Sequence, residues 1–197
     1  MGKQKPEKYQ KKRDFKKTDE PEGRTAMDNS KNIFIIQKHD AQNLHYDFRL
    51  SIDGVLKSWA VPKGLSTKAK EKRLAIRTED HPVDYADFEG VIPEGEYGAG
   101  TVMIWDKGEF ESLEEDNDKS IKKALDDGAL KFDLKGKKIK GGYAMARTNQ
   151  GDDDGNEQWV IFKLDDDKAD ARRNPLSSEP DSVKTGRSLE EIKKEEG

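Results

Sequence analysis

The chain has no cysteine among its 197 residues. Disulfides and thiolate-held metals are therefore excluded, and any metal site must be built from histidine, aspartate or glutamate. The same absence fits a reducing compartment, so a cytoplasmic protein is expected. Long apolar runs are also missing. No stretch approaches a signal-peptide core or a membrane span, so no membrane partner is expected. Hydrophobic residues make up only 31% of the chain against 40% charged. The apolar residues gather between about Ile33 and Leu164. One small domain is expected over residues 31–168. A basic, partly disordered arm over 1–30 and a polar tail over 169–197 would flank it. A monomer is expected.

The net charge of −4 is unevenly spread. Residues 1–17 carry eight lysines and arginines against Glu7 and Asp14, a net +6 that leaves −10 for the rest. A basic arm on an acidic body can hold a nucleic-acid backbone, although charge alone equally describes a solvated tail.

Histidine is scarce, and all three, His39, His45 and His81, sit in two short polar blocks. After His39-Asp40, the run Leu44–Leu50 alternates strictly. Leu44, Tyr46, Phe48 and Leu50 fall on one side of a strand, with His45, Asp47 and Arg49 on the other. Side chains two residues apart lie roughly 7 Å apart along a strand and can converge on one ion. His39, His45 and Asp47 offer two nitrogens and one oxygen, which suits Mn²⁺, Fe²⁺ or Zn²⁺ with positions left for substrate. The alternative is a hydrogen-bonded cluster without metal. The same ligand set also serves non-haem iron oxygenases. Basic residues favour phosphate chemistry instead: Arg49 shares the ligand face, Lys63 follows the next strand, Arg73 opens the one after, and His81 follows its end.

Asp53-Gly54 is a hairpin signal between His45–Ile52 and Val55–Val61. Further strands are expected at Ile33–Ile36, Arg73–Glu79, Thr101–Trp105, Leu130–Leu134, Lys138–Arg147 and Gln158–Leu164. Ser120–Asp127 reads as the one good helix, stopped by Gly128. Glu111–Asp118 reads as an acidic surface insert. Gly95, Gly98 and Gly100 read as turn residues, because no helix follows to complete a phosphate loop. Trp59 and Trp105 read as core. The expected class is mostly β, a small antiparallel barrel of about eight strands with one or two short helices.

Several blocks occur in an order that is highly specific. They are Arg13-Asp14-Phe15 with Thr18, Glu20 and Pro21; Gln37-Lys38-His39-Asp40; Leu44–Leu50; Gly54–Gly64; Lys72–Ala75; Glu79-Asp80-His81-Pro82 with Asp84 and Tyr85; Phe88–Gly90; Ile92–Gly100; and Trp105–Gly108. Together they resemble the 3′-phosphoesterase module of bacterial DNA ligase D and its stand-alone archaeal and bacterial versions. The resemblance runs over roughly residues 9–192, and Ser182–Ile192 resembles the segment that follows the module.

The resemblance implies a β-barrel holding Mn²⁺, with Co²⁺ or Zn²⁺ as alternatives. It implies removal of a 3′-terminal ribonucleoside from DNA, then of the remaining 3′-phosphate. Carried onto this chain, His39, His45 and Asp47 are the metal ligands. Arg49 and His81 contact the scissile phosphate, with His81 as transition-state stabiliser or general acid. Lys63 and Arg73 add charge, and Gln37 and Tyr85 support the site. Arg13, Asp14, Glu20 and Glu79 position the terminal ribonucleoside, so that residues 13–21 of the arm join the site. The implied partner is the 3′ end of a DNA or DNA/RNA primer-template. Whether a separate DNA ligase, polymerase and end-binding protein act with it is left open. Rival readings are a non-catalytic DNA-end-binding module with a structural metal and, more remotely, an iron oxygenase.

Overall fold

The computed structural model describes residues 6–23, 31–114 and 120–197. The first five residues of the basic arm, its end at 24–30, and residues 115–118 of the acidic insert with Lys119 after it lie outside the described residues.

Among the described residues, nine strands account for the fold: β1 (Ile33–Asp40), β2 (Leu44–Ile52), β3 (Val55–Val61), β4 (Lys72–Arg77), β5 (Gly90–Ile92), β6 (Gly100–Ser112), β7 (Ala129–Lys135), β8 (Lys140–Gly151) and β9 (Glu157–Lys163). Eight of them close an antiparallel barrel in the order β1-β2-β3-β4-β9-β8-β7-β6, with β6 returning to β1. β5 stays outside and pairs only with the start of β6. The expected barrel of about eight strands is thus the observed one. Short helices complete it: α1 (Glu7–Lys11), α2 (Ile121–Asp127), α3 (Pro175–Ser178), α4 (Leu189–Glu196) and a 3₁₀ turn at Val83–Asp87.

Local chemistry fixes several of these elements. Asp53 and Gly54 take φ of 56° and 79°, the left-handed pair that a tight β2–β3 hairpin requires. Ser120 caps α2 by accepting from the Lys123 amide, and Gly128 ends it at φ 83°. At Gly100 a Cβ would come 2.3 Å from the Asp40 carbonyl oxygen, so only glycine lets β6 run so close to the end of β1. α4 opens with a full capping box between Ser188 and Glu191.

Alternation decides what faces inward. Phe34 and Ile36 of β1, Tyr46, Phe48 and Leu50 of β2, Trp59 of β3 and Met103 and Trp105 of β6 fill the barrel. Phe48 stacks on Phe132 at 5.7 Å, and Trp59 meets Trp159 edge-on at 5.7 Å. Truncating a ring so buried to alanine costs about 3–5 kcal/mol. The intervening residues face outward, yet many are covered. Ile35, Leu56, Val102 and Ile104 pack under Tyr9, Val83, Tyr85, Ala86, Phe88 and Ile92, forming a second apolar cluster on the outer wall. The lid over that wall is α1, the 3₁₀ turn and β5.

Residues 6–23 of the arm are therefore anchored on this wall through Tyr9, Thr18 and Glu20, with much of the rest exposed. Tyr9 is fully buried, and its hydroxyl donates to the Pro21 carbonyl at 2.7 Å. The polar C-terminal segment is packed too. Glu89 accepts from the Ile104 amide, from Ser182 and Thr185 hydroxyls and from Arg187. The Trp105 indole donates to Glu179 O at 2.8 Å, and Ile192 of α4 is buried against the barrel core. Polar fasteners hold this segment, which hydrophobic patterning alone reads as a tail.

Candidate active site

The site grows from the outer face of β1 and β2. Antiparallel register sets His39 opposite His45 and Gln37 opposite Asp47, so the ring centroids of the two histidines come to 4.8 Å. Each imidazole is oriented by its remote nitrogen. His39 Nε2 donates to Gly98 O at 2.9 Å, and His45 Nδ1 donates to Asn43 O at 2.9 Å. The other nitrogen of each ring then points inward as a lone pair, 3.4 Å and 3.6 Å from Asp47 Oδ2. One ligand atom from each residue lies within 4.8 Å of the others. Atoms bound about 2.0–2.2 Å from one ion sit roughly 3–4 Å apart, and ligating histidines usually donate their second N–H to a carbonyl. The donor set therefore fits a divalent metal.

Asp47 is ready to serve. Burial acts to raise its carboxyl, but the charge of Arg49 and the close approach of both histidines outweigh it and hold the group well below the usual carboxylate range. Arg49 stands on the same face, its Nη2 3.4 Å from Asp47 Oδ2. It is itself locked: Nε donates to Gln37 Oε1 at 2.8 Å. The Gln37 amide in turn donates to Tyr85 O and Phe88 O at 3.3 and 2.9 Å. Tyr85 lends its ring, 5.0 Å from the guanidinium.

His81 reaches the same cleft from another part of the chain. Paired backbone hydrogen bonds with Leu56, at 2.8 and 3.0 Å, pin it beside β3. Its Nδ1 lies 3.0 Å from a donor, Arg49 Nη1, and 2.9 Å from an acceptor, Glu79 O. It can satisfy only one at a time. In one neutral tautomer Nδ1 accepts from Arg49 and Nε2 carries the proton. In the other Nδ1 donates to Glu79 O, and Nε2 offers its lone pair towards Arg13 Nη2 at 3.4 Å. Burial, then the charges of Arg49 and Arg13, keep its proton affinity well below that of a free imidazole.

The arm supplies the last wall. Arg13 Nε donates to Glu20 Oε1 at 2.9 Å and Nη1 to Glu79 Oε1 at 3.3 Å. Its guanidinium lies 3.8 Å from the Tyr9 ring centroid. Together these residues line a cleft of about 210 Å³ that includes Arg13, His39, His45, Asp47, Arg49, Glu79, His81 and Tyr85.

Three residues singled out in the sequence stand elsewhere. Asp14 faces solvent, accepting from the Lys16 amide and pairing with Lys17. Lys63 is exposed in the turn after β3. Arg73 shares the face of Ala75, which is part of the barrel core, and pairs with Glu71 at 2.9 Å. That is the opposite face of the wall from the metal-ligand set. It lines a separate depression with Arg173 and Leu176. Sequence reasoning also passed over residues that the cleft uses. Gly98 orients His39, Tyr9 packs against both Arg13 and His81, and Tyr97 stands at the rim. Gly98 and Tyr97 lie within one of the resembling blocks, whereas Tyr9 carries no local signal beyond its place four residues before Arg13.

Among the described residues, no helix is long and apolar enough to cross a membrane. Residues 37–147 match the model of the DNA Ligase D 3′-phosphoesterase domain. The multifunctional non-homologous end joining protein LigD of Pseudomonas aeruginosa is 46% identical over 185 residues, 92% of this chain and 21% of that protein. The corresponding DNA repair protein LigD of Mycobacterium tuberculosis is 44% identical over 161 residues, 81% of this chain and 20% of its own length. That of Mycolicibacterium smegmatis is 41% identical over 162 residues, 81% of this chain and 20% of its own. The chain thus spans about a fifth of the length of these relatives. With the matched segment enclosing all the strand-borne residues of the cleft, the chain belongs to the DNA ligase D 3′-phosphoesterase domain family.

Proposed function

We propose that this chain heals DNA 3′ ends as a metal-dependent phosphoesterase in double-strand-break repair. It removes a terminal ribonucleoside and then the 3′-phosphate left behind. The observation that carries the proposal is the convergence of two free imidazole nitrogens and an ionised carboxylate with a buried arginine and a neutral histidine in one cleft. A purely structural metal gives the Arg49–His81 contact no task.

His39, His45 and Asp47 hold the ion, taken to be Mn²⁺ with Co²⁺ or Zn²⁺ as alternatives. When bound, the ion supplies a Lewis acid that polarises a phosphoryl oxygen or activates water. In the first step water forms a bond to phosphorus and the bond from phosphorus to the terminal nucleoside's 5′ oxygen breaks. In the second, water attacks again and the bond to the 3′ oxygen breaks, leaving a 3′-OH and inorganic phosphate. Arg49 is aimed at the phosphate oxygens and offsets their growing charge. Gln37 and Tyr85 keep it so aimed. His81, neutral at rest, acts first as a hydrogen-bond partner to the phosphate through Nε2. Its proton affinity rises when the negatively charged phosphate enters, which suits transition-state stabilisation better than donation from a standing imidazolium. Arg13, Glu20 and Glu79 form the seat of the terminal sugar. The basic arm meets the duplex backbone, so binding weakens with salt.

The test is a 5′-labelled primer-template ending in one ribonucleotide, incubated with Mn²⁺ and separately with EDTA. Shortening to a 3′-phosphate and then to a 3′-OH, with Mn²⁺ only, is the expected result. Tight binding with no change at either end would make the chain an end-recognition module.

A further inference from the structure

Large apolar side chains left exposed among the described residues include Leu44, Leu74, Tyr97 and Leu113. Of these, Tyr97 lines the cleft of the metal-ligand set, and it also lines the groove that leads away past Lys8, Lys12 and Arg77. Tyr97 is 47% exposed. The segment just before it, Pro93–Gly95, is exposed as well, so packing does not demand an aromatic there. The position is nonetheless a fixed one. Gly98, the next residue, spends its carbonyl on His39. Lys12 Nζ donates to the Tyr97 hydroxyl at 3.1 Å and lies 4.3 Å from the ring centroid, while the Arg13 guanidinium is 5.5 Å away. Lys12 also reaches Glu79 at 3.4 Å, so the ring is tied to the group that walls the sugar seat.

A half-exposed aromatic ring with a cation on it, one residue from the shell of a phosphate-cleaving metal site, offers both chemistries of a nucleotide. Bases of every kind have a π-face, so stacking on a ring holds a strand end without reading its sequence. Resting on the phosphoesterase reading above, we propose that Tyr97, steadied by Lys12, is the stacking platform for the nucleobase of the 3′-terminal nucleotide. Tyr97 touches no reacting atom. It is a positioning and specificity residue: a base held at the rim turns its sugar towards Arg13 and Glu79 and its 5′-phosphate towards Arg49. On this assignment the open cleft takes any terminal base yet requires one.

The experiment compares three Mn²⁺-containing reactions on primer-templates. One ends in a ribonucleotide, one in a ribose lacking its base, and one carries an abasic site at the penultimate position. The unmodified chain is expected to lose about tenfold or more in kcat/KM on the terminal abasic end only. Tyr97→Ala should lose about tenfold on the base-bearing end and less than about threefold on the abasic one, closing the gap. Tyr97→Phe and Tyr97→Trp should keep it. Independently, 2-aminopurine at the terminal position, mixed with protein in EDTA, should be quenched by the unmodified chain and by Tyr97→Phe but not by Tyr97→Ala. Equal losses of Tyr97→Ala on both ends, or a gap found at the penultimate site instead, would overturn the assignment. Should no end be cleaved at all, the phosphoesterase reading fails, and the 2-aminopurine signal still decides whether Tyr97 stacks a base.

Discussion

Arg49 Nε donates to Gln37 Oε1 at 2.8 Å, and both side chains are buried on the outer wall of the barrel. The amide is the joint between the 3₁₀ turn and the arginine, because its nitrogen is committed to Tyr85 O and Phe88 O. Gln37→Met keeps the volume and removes all three bonds. It should cost about 1–3 kcal/mol of stability through unsatisfied buried groups. It should also lower kcat by about tenfold or more, as the guanidinium is no longer held on target. Thermal unfolding and steady-state kinetics on a 3′-phosphate end measure the two.

Removing His45 should abolish turnover and leave the barrel standing. The side chain is on the outer face, contributes nothing to the interior cluster and is partly exposed. His45→Ala should keep its circular dichroism spectrum and lose at least about tenfold in Mn²⁺ affinity by calorimetry. Full activity in that variant would remove it from the ligand set.

The arm should matter more for one step than for the other. Arg13, with Glu20 and Glu79, forms the proposed seat of the terminal sugar, whereas a bare 3′-phosphate has no such sugar. Arg13→Ala is expected to slow ribonucleoside removal by about tenfold more than phosphate removal, the loss of a charge-assisted hydrogen bond. Deleting residues 1–22 is a poorer probe, because it uncovers Ile35 and Leu56 under Tyr9. Equal losses in both steps for Arg13→Ala would reduce the arm to a source of charge.

Acid should loosen the site through His81. Its folded proton affinity is well below the ordinary value of 6.5, so the unfolded chain takes up a proton first as pH falls. The stability that depends on a neutral His81 is full above about pH 6.5 and is lost as pH falls from there towards the folded value. His45 works in the opposite sense, since its affinity is raised by Asp47 after burial opposes it. The difference between the unmodified chain and His81→Gln isolates the effect. The melting temperature of the unmodified chain should fall more steeply between pH 7.5 and 5.5 than that of the variant.

The C-terminal segment should come loose through one carboxylate. Glu89 takes hydrogen bonds from Ser182, Thr185 and Arg187, and burial, which would raise it, is outweighed by these donors. Glu89→Ala should raise amide exchange over residues 182–197 by tenfold or more, given about 1–3 kcal/mol for the lost bonds. Exchange in β2 and β8 should be unchanged.

How much of this was legible beforehand depends on the range of each signal. The β2 alternation, the Asp53-Gly54 hairpin and the Ser120–Gly128 helix are local, and each stands as the residues indicate. Alternation also separated His45, Asp47 and Arg49 from Tyr46 and Phe48. What it could not assign was inside and outside for neighbouring strands together. Arg73 shares its face with Ala75, and only closure of the barrel turns that face inward, away from Arg49. The docking of Tyr9 and the fastening of Ser182 to Glu89 join residues tens of positions apart through polar or single aromatic contacts. Such contacts leave no period in a sequence. The family blocks pointed to Arg13 and His81, but the contact between them follows from the lid over the outer wall.

Because chemistry and packing occupy alternate residues of β1 and β2, these strands carry a built-in proofreading of their own pairing. A slip of one residue would drive His45, Asp47 and Arg49 into an interior shaped for Tyr46 and Phe48, and would scatter the three ligand atoms at the same stroke. A chain folded out of step is therefore both badly packed and unable to hold an ion on these three residues. An ion bound there would report that the barrel has closed in the right register.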